Sequence, residues 1–413
     1  MNEQIRTHKQ TLAAIELQVA GPARVPAGRY DLRILNARVL IGDALMETTV
    51  ETTTSGGLIA SIGRGSGAAR ILDAEGLLVL PGIVDVHGDA FERQMMPRPR
   101  VDFPVDVALI DSDRQAVANG ITTVFHAVTW SWEPGLRGPE SARAMLAGIE
   151  RLRPRLAADT RFHLRHEVYN LDAESEILGW IADRRIDVLA FNDHMAMTTE
   201  ALARPEKVAR MVERAGITRA AFDALVQRLS ARTHEVPGSI ERLAAAAVAR
   251  GVPLLSHDDA SPAQRRWFRD LGCRVAEFPI NLETTQEAAV GGDAIVLGAP
   301  NVVRGGSHTG WTKASDMIER GLCTVLASDY YYPAPLLAAF HLADQDILPL
   351  EKAWALVAER PAAAIGLSDR GLVDEGKRAD LILVDARDGR PQVVATIVAG
   401  RLAYLTDGAR LVN

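Results

Sequence analysis

Between Pro81 and Leu372 the chain repeats one local pattern. A short apolar run is followed by a longer Ala-, Arg- and Leu-rich stretch of amphipathic character. Eight of the apolar runs read as strands: 82–87, 121–127, 161–167, 186–193, 252–259, 273–279, 294–300 and 323–329. Stretches such as ESARAMLAGIERLRPRLA and SIERLAAAAVARG read as helices, the second stopped by Gly251. Strands alternating with helices are joined by crossovers, which makes the strands parallel. Eight such units predict an α/β protein built on a (β/α)8 barrel, with a doubly wound open sheet as the alternative.

The two ends have a different style. LRILNARVLI, ETTVETTT and GLIASIG near the start, and ADLILVDA and PQVVATIVAGRLAY near the finish, carry the β-branched or period-two patterning of strands. They predict one small β-sandwich domain assembled from residues 28–79 and 373–413. The barrel then takes residues 80–372, and residues 1–27 form an N-terminal extension.

Composition narrows the function. With 47% hydrophobic and 24% charged residues the chain is an ordinary soluble protein. A net charge of −7 gives no reason to expect nucleic acid or an anionic membrane as partner. No apolar run is long enough to span a bilayer, and MNEQIRTHKQ does not read as a signal peptide. Cys273 and Cys323 lie far apart in apolar segments, which predicts reduced thiols and a cytoplasmic protein.

Chemistry-bearing residues gather where the strands end. PGIVDVHGD delivers His87 and Asp89 at i and i+2, on one side of an extended backbone. Later strands end in His166-Glu167, Asp193-His194, His257-Asp258-Asp259 and Asp329. One histidine at a strand end is ordinarily structural. In a barrel, though, all C-terminal strand ends converge on one face. His, Asp and Glu without Cys suit zinc, with manganese and iron as alternatives, and two ions if Glu167 bridges. Two cationic segments flank this set. One is APNVVRGGSHTGWTK, with Arg304, Ser307, His308 and Lys313; the other is RQMMPRPRVDFP, with Arg93, Arg98 and Arg100. Solvated loops also carry such charges, but around a metal site they point to a small anionic, phosphorylated substrate.

The chain resembles the amidohydrolase superfamily, and within it the PhnM family of phosphonate metabolism. The resemblance rests on LPGIVDVHGDAFER, MPRPRVDFP, GITTVFHA, LRHEV, SHDD, EFP, GAPNVVRGGSHTG and LASDYYYPAPLL, which run from about Leu80 to Leu337. It implies a barrel of the metal-dependent hydrolase type, with metal ligands at His87, Asp89, Glu167, His257 and Asp329 and a further one at His194. It also implies a metal-activated hydroxide as nucleophile and Asp329 as proton acceptor. Arg98, Arg100, Asp258, Arg304, Ser307, His308 and Lys313 would then bind substrate. The implied reaction cleaves α-D-ribose 1-methylphosphonate 5-triphosphate to the 5-phosphate and pyrophosphate. The chain departs from the family at Ala90, where Asn is usual, and at DHMAMTTE, where Pro-Gly-Gln follows DH. Trp130 and Trp132 add aromatic surface near the second strand end, for packing or for stacking on a ring. Those departures keep open an amidase or deaminase acting on a C–N bond of another anionic molecule. A non-enzymatic scaffold is the third reading. A homodimer is the base-rate expectation.

Overall fold

The computed structural model describes residues 32–63, 70–98, 101–202, 204–306 and 313–412. The N-terminal extension, Arg100, Ser307 and His308 therefore lie outside the described residues.

All eight expected barrel strands form. They are β6 (Ile83–Gly88), β7 (Ile121–Trp130), β8 (Asp159–Glu167), β9 (Val188–Asn192), β10 (Leu254–His257), β11 (Val275–Glu277), β12 (Ala294–Gly298) and β13 (Val325–Ala327). Each pairs in parallel with the next in sequence order. β6 and β13 meet through a parallel bridge between Gly88 and Asp329, which closes the sheet on itself. Val84, Val86, Phe125, Val188, Ala190, Leu255, Val275, Val296, Val325 and Ala327 make one buried cluster. Their branched and small side chains fill a barrel interior as layers require. The helices Pro139–Leu152 and Val236–Arg250 form where the amphipathic stretches predicted them, and Gly251 ends the second at φ +70°.

The strands from both chain ends share one nine-stranded sheet. It contains β1 (Leu32–Ile41), β2 (Ala44–Thr53), β3 (Leu58–Ile62), β4 (Arg70–Asp73), β5 (Leu78–Pro81), β14 (Leu381–Asp385), β15 (Gln392–Val398), β16 (Arg401–Leu405) and β17 (Leu411–Val412). Most pairings are antiparallel, with β4 and β5 parallel to β1. β5 leads into the barrel across Gly82, where an added Cβ would lie 2.3 Å from Thr122 Oγ1. Between β9 and β10 an insertion of three helices, Met195–Ala201, Pro205–Ala215 and Arg219–Ser230, builds a small apolar cluster of its own around Phe222. Cys273 and Cys323 are buried free thiols. Among the described residues, no helix is long and apolar enough to cross a membrane.

Candidate active site

The barrel brings His87, Asp89, Glu167, His194, His257, Asp258 and Asp329 together at its C-terminal end. Their donor atoms form two groups. His87, Asp89 and Asp329 have ligand atoms within 4.8 Å of one another, and so do His194, His257 and Asp258. Glu167 joins the second group, with Oε1 2.5 Å from His194 Nδ1. His194 Nε2 lies 3.3 Å from Asp258 Oδ2, and His257 Nδ1 lies 3.2 Å from the same oxygen. Asp258 thus stands among the imidazoles rather than apart from them.

The backbone holds these side chains under constraint. Asp258 and Asp329 take φ of +59° and +55°, a conformation that costs non-glycine residues energy and that clusters at functional sites. Asp329 is pinned where the barrel closes. Its N–H donates to His87 O at 2.9 Å, and its carbonyl accepts from Asp89 N at 2.9 Å. One residue earlier, Ser328 donates to the buried Asp85 carboxylate from both N (2.9 Å) and Oγ (2.5 Å). The β6 ladder shifts register between Asp85 and Gly88, a bulge that re-aims the strand just where His87 leaves it.

Three further residues enter the site that strand-end reasoning missed. Glu277, fully buried on β11, places Oε1 2.8 Å from His87 Nδ1. A carboxylate accepts, so Nδ1 donates and Nε2 keeps its lone pair. His163 Nδ1 lies 3.0 Å from Val86 O, and His163 forms a third donor group with His87 and Glu277. Arg165, also buried, reaches between the two main groups. Its guanidinium lies 3.0 Å from His257 Nε2 and donates to Asp89 Oδ2 at 3.4 Å. A signal for two of them was present: His163, Arg165 and Glu167 occupy alternate positions of one strand and share its inward face.

Burial and charge set the protonation states. Burial, with the Arg165 charge, holds His87 well below the usual histidine range, and burial alone lowers His126 to about 4. Burial also pushes the Asp329 carboxyl up, to about 7, helped by the Asp89 charge. For His194 burial acts downward, but Glu167 and Asp258 together outweigh it and raise the imidazole to about 9. Burial would raise Glu167 too, yet His194 and Arg165 hold it below the usual carboxylate value.

The donor chemistry fits divalent cations. Two neighbouring groups of imidazole and carboxylate donors carry no thiolate, and one of their histidines is oriented by a second carboxylate. The cationic segments meet beside this set. The Arg93 guanidinium sits 5.8 Å from the centre of the Tyr330 ring, and Arg304 donates to Tyr330 Oη at 3.2 Å. Tyr330 directly follows Asp329. Arg98 and Lys313 are exposed, Arg98 bridging Val101 and Lys313 preceding the helix Ala314–Glu319.

The two tryptophans divide. Trp130 is not surface as expected: it ends β7 buried against Trp180, with ring centroids 4.7 Å apart. Trp132 instead lines a cavity of about 290 Å³ that also touches Glu167 and His194.

Comparison with known proteins agrees with this geometry. The amidohydrolase family profile matches residues 113–404. Alpha-D-ribose 1-methylphosphonate 5-triphosphate diphosphatase of Escherichia coli (strain K12) is 36% identical over 327 residues, 77% of this chain and 85% of the relative. Among solved structures, N-acetylglucosamine-6-phosphate deacetylase from Pasteurella multocida superposes with a TM-score of 0.60 at 10% identity, covering 90% of this chain and 99% of its own. A D-hydantoinase gives 0.59 at 13% identity, covering 90% and 94%. At such identities the structures speak for the fold alone. The family match and the diphosphatase relative make this protein a (β/α)8-barrel hydrolase. The chain belongs to the amidohydrolase family, and its sequence within that family is PhnM-like.

Proposed function

We propose that the protein is a metal-dependent phosphohydrolase that cleaves a ribose 5-triphosphate, of the α-D-ribose 1-methylphosphonate 5-triphosphate type, to the 5-phosphate and pyrophosphate. The observation that carries this reading is the 36% identity with the Escherichia coli diphosphatase over 77% of the chain. In it, His87, Asp89 and Asp329 would hold one ion, and His194 and His257, with the neighbouring Glu167, a second. Zinc is the first choice. A divalent ion supplies Lewis acidity to a phosphoryl oxygen and lowers the pKa of a bound water.

The chain's own residues do the rest. Phosphoryl transfer is mostly positioning and charge stabilisation. Arg93 and Arg304, joined through Tyr330, lie beside Asp329 and hold the polyphosphate, whose leaving pyrophosphate gathers charge. Arg165 donates to phosphoryl oxygens from within the barrel. Asp329, fixed by its two backbone hydrogen bonds, takes a proton from the attacking water at its carboxylate. Asp258 keeps His257 and His194 in place. Arg98 and Lys313 are assigned to substrate binding, together with Arg100, Ser307 and His308 on the sequence pattern alone. The C–N hydrolase alternative rests on the departures at Ala90 and at DHMAMTTE, because the two structures compared, at 10% and 13% identity, speak for the fold alone.

The test pairs metal analysis of the purified chain with product assays on a ribosyl 5-triphosphate. Stoichiometric metal and pyrophosphate release are expected. Bound metal with ammonia as the product from amide or amine substrates would replace this reading. Asp329→Asn should lower kcat by about 10²-fold or more, while circular dichroism stays unchanged; retention of full turnover would remove Asp329 from the mechanism.

A further inference from the structure

Of the three polar residues at the end of β10, His257 and Asp258 join a donor group and Asp259 does not. Asp259 is fully buried, and its Oδ2 accepts from Ser256 Oγ at 2.5 Å and from Arg265 Nη1 at 3.0 Å. The same Nη1 donates to Ser256 Oγ at 2.5 Å. One guanidinium nitrogen therefore grips both the residue before the His257-Asp258 pair and the residue after it. Arg265 belongs to the helix Pro262–Asp270 and is itself fully buried. Its other terminal nitrogen, Nη2, donates to Cys273 O at 2.5 Å. Asp293 supplies a second carboxylate, with Oδ2 3.2 Å from Arg265 Nε.

Stability alone does not account for this cluster. His257 faces the barrel interior, so Ser256 faces the surrounding helices. Its register partner on β9 is Phe191, a residue of the apolar core. A buried ion pair in such a layer is ordinarily no more stabilising than well-packed apolar side chains of the same volume. What the cluster adds is direction. Asp258 takes φ +59°, a strained conformation, and the backbone holds its turn on one side. Asp258 N donates to Glu277 O at 2.8 Å, and Asp259 O accepts from Ile280 N at 3.2 Å. Arg265 holds the same turn through side chains, from the outer face of the strand. So fixed, Asp258 Oδ2 stands 3.2 Å from His257 Nδ1 and 3.3 Å from His194 Nε2.

We propose that Arg265 is a positioning residue: through Ser256 and Asp259 it sets the turn that aims His257 and Asp258 into the group they share with His194. The guanidinium acts only through those two neighbours. Arg265 holds this turn whatever the reaction; only the identification of the group as a divalent-ion site rests on the phosphohydrolase reading. Its influence is selective. Loosening Arg265 disturbs the group of His194, His257 and Asp258, and leaves that of His87, Asp89 and Asp329, at the ends of β6 and β13, as it is.

The experiment is cobalt(II) titration of the metal-free full chain, read by calorimetry and visible absorption, in wild type, Arg265→Lys and Ser256→Ala. Wild type should take up two ions. Arg265→Lys keeps the charge and loses the fork; it should weaken one ion by about tenfold or more and alter its cobalt absorption, while the other stays within about twofold. Ser256→Ala leaves Arg265 paired with Asp259 and should act in the same sense to a smaller extent. It decides the matter if Arg265→Lys does not fold. A purely structural role would lower the urea midpoint and leave both affinities alone; that result, or equal weakening of both ions, would overturn the positioning role. If wild type binds fewer than two ions, the two-ion arrangement falls, and NMR of the histidine ring nitrogens in the metal-free chain decides instead. Arg165 donates to His257 Nε2, so His257 should show one tautomer, protonated on Nδ1 toward Asp258, and lose that uniformity in Arg265→Lys. An unchanged His257 signal would overturn the proposal.

Discussion

Glu277 shows how a residue remote from the reacting atoms can govern a site. By accepting from His87 Nδ1 it fixes which nitrogen faces the ligand groups. Glu277→Gln keeps the shape and removes the charge, and should lower metal affinity by about 10- to 100-fold. Equilibrium dialysis with metal analysis reads this directly, and unchanged affinity would refute the orienting role. The strand-end rule picked out neither Glu277 nor Arg165, although the alternation of His163, Arg165 and Glu167 along one strand marked Arg165 as inward-facing. The strand-end rule finds donors at the last position of a strand and just past it, which picked out His87, Glu167, His257 and Asp329. It passes over Arg165, two residues before the end of its strand, and Glu277, which fell inside the expected strand 273–279 and ends the shorter strand that forms, Val275–Glu277. Trp130 and Trp132 looked alike in sequence because adjacency in a loop hides direction. One side chain left β7 outward to Trp180, and the other turned toward the cavity.

At the scale of elements, the barrel strands were readable because each is a buried apolar run bounded by turn or helix signals, and parallel crossovers leave little freedom in ordering them. The helical insertion before β10 was not set apart by the same reading. Its helices carry the same Ala- and Arg-rich composition as the crossover helices, and only three-dimensional packing separates a cap from a crossover. The passage from β5 to β6 is a tight element junction. Gly82→Ala would drive a methyl into Thr122, 2.3 Å from Oγ1 and 2.4 Å from Cγ2. The expected cost is about 1–3 kcal/mol, seen as a lower denaturation midpoint. Thr122→Ala in the same chain should recover most of it; a double variant no more stable than Gly82→Ala would place the cost in the backbone instead.

Among the described residues, His87, His126, His163 and His166 are buried and held below the ordinary histidine pKa, and this ties the stability of the whole molecule to pH. His126 is 1% exposed, and burial lowers it to about 4, against an ordinary value of 6.5. Unfolding lets it take up a proton, so its contribution is intact above the unfolded pKa and is lost as pH falls toward the folded one. Between about pH 7 and about pH 4.5 the loss amounts to about 2–3 kcal/mol. Other groups titrate in the same window, Asp85 among them in the opposite sense because burial raises it to about 6. The clean measurement is therefore a difference. Urea midpoints of the wild type and of His126→Gln should diverge at pH 7 and converge or cross at pH 4.5, and a gap independent of pH would assign the His126 proton no role. The closure of the barrel has a further meaning for the life of the chain. The hydrogen bonds that join its first and last strands run through His87, Asp89 and Asp329 themselves. A nascent polypeptide emerging from the ribosome thus has no clasp and no complete ligand set until its final barrel strand arrives. A chain cut short before its last barrel strand would lack Asp329 and both of these hydrogen bonds, so the ring and the proposed ion site would be completed at the same step.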